Sequence, residues 1–264
     1  MATDIAFALG ALALLGSRVP SSLKVFLAAL AVMDDLGAII VIAVFYTAQV
    51  SIGYLFAATA VFAMLLAMNR FLRVLALTPY LIGGALMWFL MLKSGVHATI
   101  AGVLLAFAIP FSTKQDDTSS PSHRLEHFLH RPVAFFILPV FALANTGVVI
   151  APDWAHQLAS ANSLGIFAGL VIGKPLGISL MCFLAVTIGV CKLPPDLRWK
   201  HIVGAGLLAG IGFTMSIFIA NLAFTGEAEL IGASKMAILL ASLCSGVLGV
   251  AWLKIYGGSV VKYQ

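Results

Sequence analysis

Apolar residues along this chain come in long runs separated by short polar stretches, and nine such runs can be marked: roughly 5–16, 25–47, 53–69, 77–92, 96–110, 133–151, 163–190, 202–224 and 233–253. A membrane-crossing helix needs about 20 consecutive apolar residues, so most of these runs have the length of a span. All should be helices, because in lipid each segment must satisfy its own backbone hydrogen bonds. The first run does not fit as a complete span. From Ile5 to Gly16 it covers about 12 residues, or about 18 Å at 1.5 Å per residue, against a hydrocarbon core of about 30 Å. It is half a helix, with Arg18 marking its cytoplasmic end and the start of the chain near the bilayer midplane beside Asp4. No basic segment precedes it to make a signal peptide. The expectation is therefore an interior point of a longer fold, with a short re-entrant or interfacial helix as the alternative.

Composition agrees with the pattern and sharpens it. Of 264 residues 62% are hydrophobic and 9% charged, and the mean hydropathy is +1.09, so no water-soluble surface can be built from this chain. The fold class is all-α, a polytopic membrane protein, and a single transmembrane domain over 1–264 is expected. The net charge of +5 would suggest nucleic acid in a soluble protein, but here the basic residues are scattered between apolar runs, so no nucleic-acid partner is expected. Laid on alternate sides of the nine runs, Arg18, Lys24, Arg70, Arg73, Lys114, Arg124, Arg131, Lys192, Arg198, Lys200, Lys254 and Lys262 fall on one side, and only Lys93 and Lys235 on the other. By the positive-inside rule the richer side and the C-terminus are cytoplasmic. Cys182, Cys191 and Cys244 are few, odd in number and set in or beside apolar runs, which reads as small core residues and neither a disulfide framework nor a metal cluster.

Charges inside the runs carry the chemistry. Asp34 and Asp35 sit in the middle of Ser22–Ala48, too far from either end to reach water by snorkelling. A central Asp costs about 2.5–3.5 kcal/mol on insertion scales, so two in succession need a cavity or a partner. Successive helical residues point about 100° apart, and the two carboxylates cannot serve one place together. Lys174, in Gly173-Lys174-Pro175-Leu176-Gly177, is the buried cation that can pair with one of them. The other is left to face a water-filled funnel. Carboxylate oxygen is the hard donor a small hard cation prefers and is also a base, so one site can exchange sodium for protons. A buried ion pair plus one protonated Asp serving only packing is the alternative.

Two runs carry signs of interruption. The eighth reads Gly204-Ala205-Gly206-Leu207-Leu208-Ala209-Gly210-Ile211-Gly212-Phe213-Thr214-Met215-Ser216, where four glycines and two hydroxyl residues either break the helix or allow close helix packing. The first run offers Thr3-Asp4-Ile5-Ala6-Phe7 beside it as a weak likeness of Thr214–Phe218. Paired interrupted segments are the sequence sign of an inverted repeat in secondary transporters. Crossed half-helices bring positive N-terminal and negative C-terminal dipole ends together at mid-membrane, where Asp4 and Lys174 can compensate them.

The motifs Met33-Asp34-Asp35-Leu36-Gly37-Ala38, Lys93-Ser94-Gly95-Val96-His97-Ala98-Thr99, Arg124-Leu125-Glu126-His127, Gly173–Ser179 and Gly210–Ile219 closely resemble the NhaA family of bacterial Na+/H+ antiporters over essentially the whole chain. NhaA is itself one of the examples behind the inverted-repeat generalisation, so that architecture is carried over and not deduced. The resemblance implies that Asp34 is the lysine-paired carboxylate, Asp35 the principal ligand of a transported Na+ or Li+, Lys174 the paired lysine, Thr3 and Asp4 the first helix break, and Gly212 with Thr214–Ser216 the second. It implies a protein of the bacterial inner membrane, with twelve spans, of which three and a half would be missing here together with the extracytoplasmic hairpin through which the family forms homodimers. No cofactor or resident metal is implied beyond the transported Na+, Li+ and H+.

The longest polar stretch, Phe111–Arg131, is expected to be loop over Thr113–Ser119, then a short helix with Ser120 as N-cap and Pro121 at its first position, closed by Arg131-Pro132. Glu126, His127 and His130 share a surface of it. They read either as a solvated connector or, since the resemblance places pH regulation here, as a pH sensor, with His97 a weaker candidate. No enzyme chemistry is visible. A cation channel, a sodium-coupled symporter, a non-transporting fragment, and an intramembrane aspartyl protease using Asp4 with Asp35 are the other readings.

Overall fold

The computed structural model describes residues 2–47, 50–111, 120–148 and 154–258. The expected loop over Thr113–Ser119, with Lys114, and the basic Lys262 lie outside the described residues. Among those described, six helices are long and apolar enough to cross a membrane: α2 (Ser21–Phe45), α3 (Ile52–Arg70), α4 (Leu77–Ser94), the run Pro121–Thr146, the run Ala161–Thr187, and α13 (Ala228–Tyr256). A bent pair, α11 (Trp199–Ala209) and α12 (Phe213–Ala223), makes a seventh; it turns by 48° at its break. Two shorter apolar helices, α1 (Ile5–Leu14) and α5 (Thr99–Ala108), complete the correspondence with the nine runs. None of the apolar window of Pro121–Thr146 is buried, and Phe135 and Leu143 are 82% and 77% exposed. Surfaces of that kind need lipid around them.

The helices differ from expectation in four places. Pro132 does not close α6 (Pro121–Pro132): the chain widens into a π turn over Val133–Ile137, where Leu138 N–H reaches back to the Val133 carbonyl, and continues as α7 (Leu138–Thr146). Proline lacks a donor and crowds the carbonyl one turn earlier, and a wider turn beside it lets the helix run on. Ser120 is the N-cap of α6 and Pro121 its first residue, but the serine side chain makes no cap hydrogen bond. The fifth run forms only ten helical residues, because Gly95 ends α4 in a left-handed conformation (φ 83°), and the chain then needs Val96 to Ala98 to turn and meets Pro110 at the far end. Cys191 is exposed in the loop after the Ala161–Thr187 run, while Cys182 and Cys244 are half-buried.

Contacts group the chain into two compact units, Met1–Ala38 with Leu143–Gln264, and Ile39–Ala142. In the first, α8 (Trp154–Leu158) leads into the run Ala161–Thr187, composed of α9 (Ala161–Ala168), a π turn over Gly169–Gly173 and α10 (Lys174–Thr187). Leu12, Leu23, Leu27, Ile202, Leu208 and Leu253 form one buried cluster, and Leu170, Ile217, Ile238 and Ala241 belong to another. The approach of α11 to α13 is a reciprocal exchange of small for large: a Cβ on Gly204 would meet Leu253, and one on Gly249 would lie 2.7 Å from Leu208 Cδ2. On the other side Gly206 packs on Pro175 of α10, whose Cα would be 3.0 Å from an added Cβ. In the second unit Leu65 of α3 fills the space over Gly83 of α4, and Leu105 of α5 that over Gly84. Asn69 there donates to the Ala108 carbonyl at 2.9 Å, and Tyr80 OH to the Val74 carbonyl at 3.0 Å.

Candidate functional site

Chain segments on either side of two helix ends cross inside the first unit. The helix α1 begins at Ile5 with Asp4 as N-cap, and α12 begins at Phe213, so two N-termini with unsatisfied N–H groups face the same carboxylate. Asp4 Oδ1 accepts from Phe7 N–H at 3.2 Å, and Oδ2 accepts from Thr214 N–H at 3.2 Å and from Thr214 Oγ1 at 2.7 Å. The Asp4 N–H donates to the Ile211 carbonyl at 2.6 Å, which ties the segment before α1 to the break of α11 and α12. That break is Gly210–Gly212; Thr214 lies in the first turn beyond it. Ser216 Oγ stands 3.5 Å from the Ala2 carbonyl, and Gly212 N–H donates to Ser242 Oγ on α13 at 3.2 Å. Gly212 is required for a plain reason: an added Cβ would lie 2.5 Å from Ser216 Oγ and 3.0 Å from the Ala2 carbonyl.

At the opposite polarity, the C-terminal end of α11 meets a cation. Lys174 Nζ donates to Ala209 O at 3.0 Å, Thr3 Oγ1 at 2.7 Å and Asp34 Oδ2 at 2.5 Å. An ammonium has three protons, and all three have an acceptor here. Thr3 Oγ1 lies 2.7 Å from Asp34 Oδ2 and 2.9 Å from Ala209 O, and its single proton serves one of them at a time. A positive charge on the exposed carbonyl end of a helix is favourable, as is a negative one at the two N-termini near Asp4. Four groups from four elements thus converge: the segment before α1, α2, α10 and the end of α11.

Asp34 is 29% exposed and lines an open cleft of 540 Å³ together with Leu30, Met33, Gly169, Gly173, Lys174, Gly177 and Ile178. Asp35 points elsewhere around the same helix, and its Oδ1 is buried with no hydrogen-bond partner. A buried, unpartnered carboxylate oxygen beside a satisfied ion pair is a place where either a proton or a hard cation lowers the free energy. Asp4, by contrast, has both oxygens engaged at helix ends.

Glu126, His127 and His130 are all exposed on α6. Glu126 Oε2 is 3.9 Å from His123 Nδ1, one turn earlier and outside the set chosen from sequence. His97 Nδ1 lies 2.9 Å from Thr99 Oγ1 at the opening of α5. Sequence reading also missed the Ala209 and Ile211 carbonyls, which no side-chain pattern reveals. Ser242 it passed over as well, and there a signal existed: Ser242 and Ser245 stand three apart in an apolar run, on one face of α13.

Long apolar helices with little of their surface buried, and a broken span whose ends meet the start of a further short helix beside a carboxylate–lysine pair, define a polytopic membrane protein of the interrupted-helix class. The chain belongs to the family described as Na+/H+ antiporter 1, whose profile matches residues 1–253. It is 73% identical over 256 residues to the Na+/H+ antiporter NhaA of Dechloromonas aromatica, an alignment covering 97% of this chain and 66% of that protein. The NhaA of Cytophaga hutchinsonii is 56% identical over 255 residues, with 97% and 65% covered, and NhaA 1 of Flavobacterium johnsoniae is 57% identical over 254 residues, with 96% and 66% covered. The chain spans about two thirds of the length of these relatives.

Proposed function

We propose that this chain carries the ion site of an inner-membrane antiporter that exchanges cytoplasmic Na+ or Li+ for external protons, with its C-terminus on the cytoplasmic side where the basic residues collect. The observation that carries the reading is the unpartnered Asp35 Oδ1 one residue from the Asp34–Lys174 pair. Asp35 is the ligand that takes either the cation or the proton. Asp34 is held by Lys174 and Thr3 and forms the wall of the site. The charges of Asp4 and Lys174 keep the crossed helix ends from repelling each other. Na+, Li+ and H+ are cargo, and no cofactor is needed for the step. Glu126, His127 and His130, with His97, are proposed to adjust the pH at which exchange occurs. Relatives bearing the name Na+/H+ antiporter support the cargo assignment. The occupied carboxylate of Asp4 disfavours a protease reading, which would need it as half of a catalytic pair.

The test is Asp35→Asn, made in a protein that joins residues 1–264 to the part of the Dechloromonas aromatica relative outside the alignment, and assayed in everted membrane vesicles. An amide neither titrates nor neutralises a cation, so sodium-driven proton movement is expected to fall to background while the protein still reaches the membrane. Exchange at the unsubstituted level overturns the assignment.

A further inference from the structure

His201, in the first turn of α11, is a polar side chain only 4% exposed, and both of its ring nitrogens are engaged. The Arg198 N–H donates to Nδ1 at 3.0 Å, and Nε2 lies 3.1 Å from the carbonyl of Gly257, the residue that caps the C-terminal end of α13. A backbone N–H can only donate, so Nδ1 is an acceptor, the ring proton sits on Nε2, and Nε2 donates to Gly257. The first bond stays within α11, where a side chain at the third helical position satisfies the N–H of the capping residue. The second reaches another helix.

Two more contacts join α11 to α13 at this end. Trp252 Nε1 donates to the Lys200 carbonyl at 2.9 Å, and Lys200 Nζ lies 5.4 Å from the centre of the Tyr256 ring. The far end of α11 carries the Ala209 carbonyl that Lys174 holds, and beyond it Gly210–Gly212 interrupt the helix, so continuity with α12 does not fix where α11 stands along its axis. Along its length Gly204 faces Leu253 and Gly206 faces Pro175. Glycine faces let helices approach closely but put no side chain in the way of a slide along the axis. A directional hydrogen bond at the end of the rod resists one.

We propose that His201 is a positioning residue for the ion site: its bond to Gly257 sets where α11 lies along its axis, and so where the Ala209 carbonyl meets Lys174 and the Ile211 carbonyl meets Asp4. His201 precedes Ala209 by eight residues, which is about 12 Å of helix, and a hydrogen-bonded helix is stiff over that length. A shift at one end therefore appears at the other. The Lys174–Ala209 contact is 3.0 Å, and lengthening it by about 1 Å would take it out of hydrogen-bonding range. An ammonium proton would then lack its acceptor beside Asp34 and Asp35, and the site would hold the cation less well. The effect on exchange rests on the exchange reading above; the effect on the position of α11 does not.

The protein that joins residues 1–264 to the part of the Dechloromonas aromatica relative outside the alignment serves for two readouts. His201→Leu, similar in bulk and without either bond, should speed amide hydrogen exchange roughly 3- to 10-fold at 198–202 and also at 209–213, the size expected for one net hydrogen bond. In vesicles its half-saturating Na+ concentration should rise by a similar factor while the maximal rate is kept. His201→Gln carries an acceptor and a donor on one side chain and should return both readouts to the level of the unsubstituted protein. Ser234→Ala is the control: Ser234 is buried on α13 and bonded to Asn162 at 2.8 Å, away from α11, so its loss should leave both readouts unmoved. If His201→Leu does not fold, His201→Asn, too short to reach Gly257, replaces it with the same expected direction. Faster amide exchange confined to 198–202, a loss confined to the maximal rate, no rescue by His201→Gln, or equal effects from Ser234→Ala overturns the proposal. Absence of sodium-driven exchange in the unsubstituted joined protein overturns the exchange reading alone, and the amides at 209–213 then decide on His201.

Discussion

Three ammonium protons on Lys174 meet three acceptors, and removing any one acceptor leaves a proton without a partner in a poorly solvated place. Asp34 is the only charged one of the three. Asp34→Asn or Lys174→Met alone strands the other charge, and for a fully buried pair that costs roughly 3–5 kcal/mol. The cleft leaves Asp34 partly solvated, which places the expectation at the lower end of that range. Substituting both together should cost less than the sum of the two. Thermal unfolding of the purified variants, read as a double-mutant cycle, checks this; additive losses would show that the contact contributes nothing as a pair. Asp35 behaves differently because nothing among the described residues satisfies its buried oxygen, so its neutralisation is expected to remove exchange with little loss of stability.

Between residue and molecule lie elements that proline reshapes without ending. Pro132 is followed by a π turn and Pro175 preceded by one, and in both runs the helix continues. The consequence differs. Near Pro175 the wide turn sits against the break of a second helix and delivers Lys174 to it, whereas near Pro132 it joins an exposed helix rich in histidine to an apolar run. That exposed helix, α6, is where a pH effect belongs. Its charged groups are exposed, and replacing them does not disturb a packed interior. Replacing Glu126, His127 and His130 together by alanine should therefore move the pH profile of exchange and spare its maximal rate. An unchanged profile in vesicles would return α6 to the role of a connector, and loss of the maximal rate would place these residues in the ion path.

At the scale of the whole molecule, rocking of two bundles about a fixed site is what alternating access requires. The relatives are about half as long again as this chain. Exchange is accordingly expected from a protein in which residues 1–264 are joined to the part of the Dechloromonas aromatica relative outside the alignment, and not from residues 1–264 by themselves. Growth of a sodium-sensitive cell at alkaline pH checks this, and rescue by residues 1–264 alone would show that these segments suffice. Sequence by itself determined the membrane class, the nine helical runs and the charged Asp34, Asp35 and Lys174 within them, because lipid forces apolar length and makes every charge at depth conspicuous. It also singled out Thr3, Asp4 and the glycines before Thr214, since a run of four glycines with hydroxyls contrasts with its apolar surroundings. Residue pattern left open which Asp meets Lys174, a choice only the family resemblance made; tertiary structure alone decided that Asp4 serves two helix ends at once, which glycines mark the break and which the packing, and that Ala209 and Ile211 act through their carbonyls. A backbone group is common to every residue, and only the crossing of distant segments makes one carbonyl different from the rest.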